Sequence, residues 1–315
     1  MKTLFHQILD RFKKYLQPVN ELRSMDIKLE RLLIQTVQGR IREFHSIPPL
    51  ENLSDAEFQV FSQWGEDGII QYLIARIPVK NLTFVEFGVQ DYLESNTRFL
   101  LMNNNWSGLV IDSDPQYIQN IQARDYYWRH ELQAVCTFIT VENINETIKN
   151  AGIEGDIGLL SIDIDGNDYW IWDAITVISP RIVVVEYNGV FGKDRFVTIP
   201  YRPDFVRTKA HYSNLFFGAS LRAFCLLAEK KGYFYAGSNS AGTNAFFVRN
   251  DLATDVIRQE PGRNFIMSKV REARDKAGNL VFTSGSARTS LISDMKVVDL
   301  ENNCEIILAE VLENK

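Results

Sequence analysis

At 315 residues, with 45% apolar and 23% charged residues, the chain can bury an ample core as one large domain with appendages or as two smaller ones. No apolar run is long enough to span a bilayer and Met1 to Asp10 carry no continuous apolar signal core, so the cytoplasm is the expected compartment, with a peripheral position at the inner membrane face as the variant. A net charge of −6 argues against general nucleic-acid binding, and Cys136, Cys225 and Cys304, odd in number and widely spaced, argue against a disulfide frame or a zinc site.

Residues 3 to 16 put Leu4, Phe5, Ile8, Leu9, Phe12 and Leu16 on one helical face, and Pro18 ends the pattern. A second helical run from about Ser24 repeats Ile27, Ile34 and Ile41 at heptad spacing, a short coiled-coil-like seam. This arm, residues 1–50, reads either as a pairing helix for homo-oligomerisation or packing, or as a basic amphipathic helix on a membrane surface. His45-Ser-Ile-Pro-Pro-Leu50 is a linker, because paired prolines cannot continue a helix.

The main domain is expected over residues 51–250. Ser62-Gln-Trp-Gly-Glu-Asp-Gly68 opens a helix through about Ile77. Leu82-Thr-Phe-Val-Glu-Phe-Gly88 is then a buried strand that carries Glu86 to its end and turns at Gly88, where the missing Cβ would let a ligand approach closely. Gly108 to Asp112, Ala134 to Thr140, Ile157 to Asp165 and Arg181 to Asn188 are further apolar runs, separated by helical patterns that start near Pro115 and Asn143. Near-continuous apolar strands alternating with helices predict a doubly wound α/β, mostly parallel sheet. Gly189 to Asn214, rich in aromatic, charged and Pro residues, reads as an inserted loop or lid. A helix from about Gly218 to Lys231 and strands at Gly232–Ala236 and Asn244–Arg249 close the domain. Residues 251–315 form a C-terminal extension, with a helix expected over Phe265–Lys276 and strands over Val281–Thr283, Lys296–Leu300 and Ile306–Val311.

Three strand ends present acids in series: Glu86, then Asp112, then Asp163 with Asp165. Ligands of open α/β sheets bind beyond the carboxyl ends of the strands, and carboxylates there accept hydrogen bonds from ribose hydroxyls or meet a positive group. The Gly-x-Gly-x-x-Gly pattern of hydride-transfer folds is absent. Asp112 could instead cap the following helix. Trp170 and Trp172 read as core.

Phe84-Val-Glu-Phe-Gly88, Val110-Ile-Asp-Ser-Asp-Pro115 and Ser161-Ile-Asp-Ile-Asp-Gly-Asn-Asp168, followed by Tyr169, Trp170 and Ile182-Val-Val-Val-Glu-Tyr187, resemble the class I S-adenosylmethionine-dependent methyltransferases, and within them the FkbM-like group. The resemblance covers about residues 60 to 250. It implies that Glu86 and Gly88, with Gln90, Glu94, Ser95 and Asn96 after them, lie at the amino-acid end of S-adenosylmethionine. Asp112 and Ser113 would meet the ribose, Thr140 to Asn143 the adenine, and Asp163 the sulfonium and the acceptor. Gln90 and Tyr92 depart from the small residues usual in the first loop.

Methyl transfer to a hydroxyl is an in-line displacement that needs donor and acceptor held close and one proton removed. His211 in the candidate lid suits the base by its ordinary pKa, with Asp163 as the second catalytic candidate. Asp163, Asp165 and Glu186 with Asn188 supply hard oxygen atoms for a divalent cation such as Mg²⁺. The acceptor implied by the resemblance is a sugar, glycan or related metabolite. The alternative is a non-catalytic module that keeps the fold and binds a protein or membrane partner; a nucleic-acid methyltransferase is disfavoured by charge and by the lack of an Asn-Pro-Pro-Tyr motif.

Overall fold

A computed structural model describes residues 24–252, 255–262, 265–270 and 272–313. The chain divides into two compact units, residues 1–46 and 47–315. In the first, residues 24–43 form helix α1, with Ile27, Ile34 and Ile41 half-buried and Met25, Leu29 and Leu32 exposed. The amphipathic run over residues 3–16, and the membrane contact expected of it, lie outside the described residues. Among the described residues no helix is long and apolar enough to cross a membrane.

The second unit opens with α2 (Glu66–Arg76) and β1 (Thr83–Phe87), then α3 (Arg98–Asn104) and β2 (Ser107–Asp112). It continues through α4 (Pro115–Gln122), α5 (Asp125–Arg129), β3 (Leu132–Cys136), α6 (Ile144–Asn150) and β4 (Gly155–Ile162). After α7 (Asp168–Ala174) and β5 (Ile178–Glu186) comes an insertion with β6 (Val197–Thr198) and α8 (Arg207–Ala210). Then α9 (Leu221–Lys231) leads to the hairpin of β7 (Tyr233–Ser238) and β8 (Asn244–Arg249). The tail holds α10 (Ser286–Ser290), β9 (Lys296–Asp299), β10 (Cys304–Ile307) and α11 (Leu308–Glu313).

The main sheet runs β3-β2-β1-β4-β5-β8-β7. The first five strands are parallel, and β8 is antiparallel to both of its neighbours. This is the doubly wound, mostly parallel α/β class expected, a Rossmann-like fold. Strand order reverses between β1 and β4, which opens a crevice over their carboxyl ends. Side chains alternate along β1, so Val85 and Phe87 enter the core with Ile144 and Ile148 of α6, Ile171 and Trp172 of α7, and Leu221 and Phe224 of α9. Glu86 points to the opposite face, toward the chain that leads into α3.

Several boundaries differ from expectation. β3 ends at Cys136: the Thr137 N–H makes the last ladder bond, to the Asp112 carbonyl (2.9 Å), and the chain then leaves the sheet. β4 ends at Ile162, so Asp163 and Asp165 stand in the loop beyond it. No helix forms over residues 265–276 among those described: Lys269 N–H bonds the Ala241 carbonyl (3.0 Å) and the Tyr187 hydroxyl bonds the Ile266 carbonyl (2.7 Å), which holds this segment extended beside the β7–β8 turn. Residues 281–283 are not a strand, and the expected strand at 306–311 stops at Ile307 and continues as α11.

The insertion and the tail build a second, three-stranded antiparallel sheet, β10-β9-β6. Its cluster joins Phe191, Val197 and Ile199 of the insertion to Ile292, Val297 and Leu308 of the tail. Cys136, Cys225 and Cys304 are all free thiols.

The entrance to α2 is a turn built on buried acids. One Asp67 oxygen accepts from the N–H groups of Val60, Phe61 and Ser62 at 2.6–2.9 Å, and Ser62 Oγ accepts from Asp67 N–H at 3.0 Å. Burial nevertheless pushes the Asp67 carboxyl up to about 6, against the lowering effect of those hydrogen bonds. A folded-state value above the ordinary one means a stabilising contribution complete below the unfolded pKa and lost as pH rises through about 6. The thermal midpoint of the native chain, measured relative to Asp67→Asn, should therefore fall as pH is raised from about 4 to about 7. A difference that stays flat over that range would count against this assignment.

Candidate functional site

The floor of the site is set where β1, β2 and β4 end side by side. Gly88 turns the chain at φ +73°, and its N–H bonds the Ile111 carbonyl at 2.9 Å. A Cβ at this position would stand 1.6 Å from the Asp163 carbonyl oxygen. The glycine is therefore demanded by the backbone of the neighbouring strand end, which occupies the space expected for an approaching ligand.

The loop after Gly88 keeps its course without further glycines. Gln90 and Tyr92 both adopt left-handed conformations (φ 49° and 62°), each a local strain that its contacts must offset. Gln90 N–H donates to Asp112 Oδ2 at 2.8 Å. Tyr92 is fully buried, with its hydroxyl 2.9 Å from Thr97 Oγ1 and its ring edge-on to Tyr126. These contacts stand where small residues were expected.

Glu86 anchors this loop. Its carboxylate accepts from Ser95 Oγ, Asn96 N–H (2.9 Å), Thr97 N–H (3.1 Å) and Thr97 Oγ1. Burial pushes the carboxyl up while these donors pull it back. Asn96 also donates its amide to Ser161 Oγ at 3.1 Å, tying the loop to β4. Asp112 has a different role: it accepts from Gln90 N–H and from Asp114 N–H (2.9 Å), while Asp114 caps α4 through Gln116 N–H (2.8 Å). The helix cap is thus Asp114, and Asp112 faces the crevice.

Two cavities of about 330 and 370 Å³ lie over this floor and share Gln63, Gly88, Gln90 and Asp163. Small-molecule sites usually fall between about 300 and 1,000 Å³. The first cavity takes in Asp112, Ser113, Phe138, Ile139, Phe205 and Arg207; the second takes in Glu86, Glu94, Ser95, Asn96 and Asn244. Thr140 lies beyond this wall, with its N–H on the Asn143 side chain at 2.9 Å, and Phe138 and Ile139 line the cavity instead. His211 touches none of the cavities. Its Nδ1 is 2.7 Å from Ser213 Oγ and its ring lies against Tyr212. Burial holds its imidazole below the ordinary value, helped by Lys276 and opposed by Asp294. His211 is thus engaged within its own turn after α8 and is not among the residues that line these three cavities.

Asp163, Asp165 and Glu186 bring carboxylate oxygens within 4.8 Å of one another. Burial, and then their mutual repulsion, push the Asp163 and Glu186 carboxyls well above the ordinary range, with Arg207 opposing. Arg207 bonds both Asp165 and Glu272, and its guanidinium lies 3.8 Å over the Phe217 ring. Asp168 shapes the loop by accepting from Ile164 N–H (2.9 Å) and Gly166 N–H (2.8 Å), and burial raises it to about 6. The expected ligand Asn188 is committed elsewhere: its Oδ1 accepts from Val190 N–H, and its amide donates to the Leu215 and Phe217 carbonyls. Glu186, expected beside it, is the third oxygen donor of the group, and its Oε2 is buried without a partner.

A third chamber of about 50 Å³ opens beside Asp163 and Glu186, with Gln63, Trp64 and Asn244 on its wall. Trp172 is core, and Trp170 donates its indole N–H to the Ile199 carbonyl (2.8 Å), as packing residues should. Gln63, Phe138, Phe205, Arg207, Glu272 and Asn244 were not singled out from the sequence. Only Arg207 and Phe205 carried a signal, as members of the loop read as a lid.

The fold is similar to that of the N-terminal domain of EvdMO1 with SAH bound, at 8% identity over 68% of this chain and 94% of that one, TM-score 0.38. It is also similar to a putative O-methyltransferase from Klebsiella pneumoniae, at 10% identity over 69% and 90% of the two chains, TM-score 0.38. A third solved structure, an O-methyltransferase family protein from Burkholderia thailandensis, matches at 11% identity over 70% and 58%, TM-score 0.34. No family model and no curated protein matches the chain.

The packing at Gly88 is directly testable. Gly88→Ala should lower stability by about 2–5 kcal/mol, since a clash with backbone is added to a left-handed conformation. Gly152→Ala shares the positive φ (+75°) but has no atom within 4 Å of its added Cβ, so it should cost only about 1–2 kcal/mol. Equal shifts in urea midpoint for the two variants would refute the close approach.

Proposed function

We propose that the chain is an S-adenosylmethionine-dependent O-methyltransferase whose acceptor is a hydroxyl of a sugar, glycan or related metabolite. The observation that carries this reading is the acidic crevice at the β1/β4 switch point, with Asp112 turned into it while Asp114 caps the helix. Such a crevice is where doubly wound sheets bind nucleotide-like ligands.

The residues present fit a cationic adenosyl cofactor. Asp112, Asp163, Asp165, Glu186 and Glu272 line the 330 Å³ part of the crevice against the single guanidinium of Arg207. Asn167 Oδ1 is buried there without a donor, and Phe138 and Phe205 provide ring faces. Asp112 would hold the ribose hydroxyls, the two phenylalanines would hold the base, and Asp163 would stand near the positive end. When bound, the cofactor supplies an electrophilic methyl group on a positively charged sulfur. The chain's part is to orient and to exclude water. The strap over the crevice is tied down by the Tyr201 hydroxyl, which donates to Glu142 (2.7 Å) and accepts from Val141 N–H (3.1 Å).

Asp163, Asp165 and Glu186 would hold a divalent cation such as Mg²⁺ through hard oxygen atoms. A positive charge there would relieve the repulsion that raises the two buried carboxyls.

Isothermal titration of S-adenosylmethionine into the full chain should show one site, weakened about 10–100-fold by Asp112→Asn, the loss expected for a hydrogen bond to a charged group. Absence of binding to the native chain, or undiminished binding in Asp112→Asn combined with Phe138→Ala, would sink the reading. For the cation, Mn²⁺ titrated into the chain and followed by electron paramagnetic resonance should bind, and the combined Asp163→Asn, Glu186→Gln variant should lose at least about tenfold in affinity. Equal binding by the two proteins removes the cation from the proposal.

A further inference from the structure

The turn before α2 is locked by buried charge yet presents two unoccupied side chains to the site. Glu66, fully buried, accepts from Trp64 N–H (2.9 Å) with one oxygen. With the other it accepts from the amides of Asn239 (2.6 Å) and Asn244 (2.8 Å). Glu57 adds bonds to the N–H and hydroxyl of Ser240. The turn and the β7–β8 loop are thereby one rigid piece. From it Gln63 and Trp64 project outward, Trp64 with 39% of its surface exposed. Gln63 borders all three cavities, and Trp64 borders the small chamber. Among the described residues, neither the Gln63 amide nor the Trp64 indole N–H has a hydrogen-bond partner.

Asn244 supplies an independent observation. It is 8% exposed, lines the small chamber and the 370 Å³ cavity, and its Oδ1 is buried without a donor. Because Glu66 holds its Nδ2, the amide cannot flip to correct this. A buried acceptor left unpaired costs about 1–3 kcal/mol, so a ligand that brings an O–H there is favoured. Asn244 stands directly opposite Glu186 in the antiparallel ladder, which puts this vacant acceptor beside the acid cluster. The chamber, about 50 Å³, has room for a small polar substituent and not for a ring. A half-exposed indole on its wall and vacant amide positions around it call for a ligand with a flat C–H face and several hydroxyls along its edge.

We propose that Trp64, Gln63 and Asn244 form the acceptor subsite and that the acceptor is a pyranoside, its ring on the Trp64 face and one hydroxyl-bearing substituent in the chamber donating to Asn244 Oδ1. This rests on the methyltransferase reading for the identity of the neighbouring crevice. Gln63, at the junction of the cavities, both donates to and accepts from the ring hydroxyls. The rigid turn sets the angle at which the ring is presented to Asp163 and Glu186.

Saturation-transfer difference NMR on the full chain tests this, with S-adenosylhomocysteine present and methyl β-D-glucopyranoside, methyl α-D-mannopyranoside and methyl α-L-rhamnopyranoside as probes. 4-Methylcatechol serves as the non-sugar ring. At least one glycoside should receive saturation; Trp64→Ala should cut that signal about fivefold or more, Gln63→Ala about twofold or more, and Trp64→Phe should restore most of it. Affinity for S-adenosylhomocysteine, read by titration calorimetry, should stay within about twofold in the two Trp64 variants, which shows that they are folded. The proposal is overturned by a glycoside signal that survives in Trp64→Ala, by transfer to the catechol alone, or by no transfer to any glycoside. Glycoside transfer that depends on Trp64 in a chain that binds no S-adenosylhomocysteine overturns the methyltransferase reading and leaves the sugar subsite standing.

Discussion

The contact between Gly88 and the carbonyl of Asp163 decides where every other group in the site can stand. Parallel strands that end side by side diverge under sheet twist unless something draws their ends together. Here the Gly88 N–H holds the end of β2 through Ile111, and the bare Cα of Gly88 lets the backbone of β4 press against it. With three strand ends cinched, Asp112 and Asp163 border one cavity and the chain after Gly88 must climb over them. That climb explains the left-handed Gln90 and Tyr92: the path is imposed from below, and the contacts of Tyr92 with Thr97 and Tyr126 offset the strain.

Carboxylates gathered this closely resist burial, since each loses hydration and repels the others. The chain meets the problem in two ways. Acids with a structural task, Glu86, Asp67 and Asp168, each accept several hydrogen bonds from N–H and O–H groups fixed in the fold, which offset part of the cost of their burial. Asp163 and Glu186 lack that provision and are pushed strongly toward the neutral form, with Arg207 as the nearby positive charge. An environment that leaves two half-buried acids without donors among the described residues favours a positive group beside them.

The sheet and its order of acids were legible because parallel strands buried on both faces leave apolar runs that end where the chain turns. Strand existence was clear from Phe84, Val110, Leu159 and Val184 alone. Roles within the site were less legible, because they depend on which oxygen finds which donor. Nothing in Val-Ile-Asp-Ser-Asp tells that the second acid caps the helix and frees the first, and nothing near Asn188 tells that its amide reaches Leu215 and Phe217. His211 fitted the chemistry by type, yet its position follows from the path of α8 and the turn after it. The tail departs from its sequence pattern for a related reason: residues 265–270 are apolar enough for a helix, but they are held extended by partners more than twenty residues away.

Long-range pairing also explains why the Ser62-to-Gly68 turn looked like a plain helix start. Its acids have partners both within the turn and across the chain, so their sequence reads as ordinary capping while Glu66 reaches Asn239 and Asn244. The consequence is a division of labour in stiffness. The turn and the β7–β8 loop share buried, doubly bonded carboxylates and must move together, whereas the strap that carries α8 is fastened on the site side through Arg207 to Asp165 and Glu272. On the proposed cation reading, an ion held by Asp163, Asp165 and Glu186 would compete with Arg207 for Asp165, so its occupancy would bear on the strap more than on the turn fastened through Asn239 and Asn244.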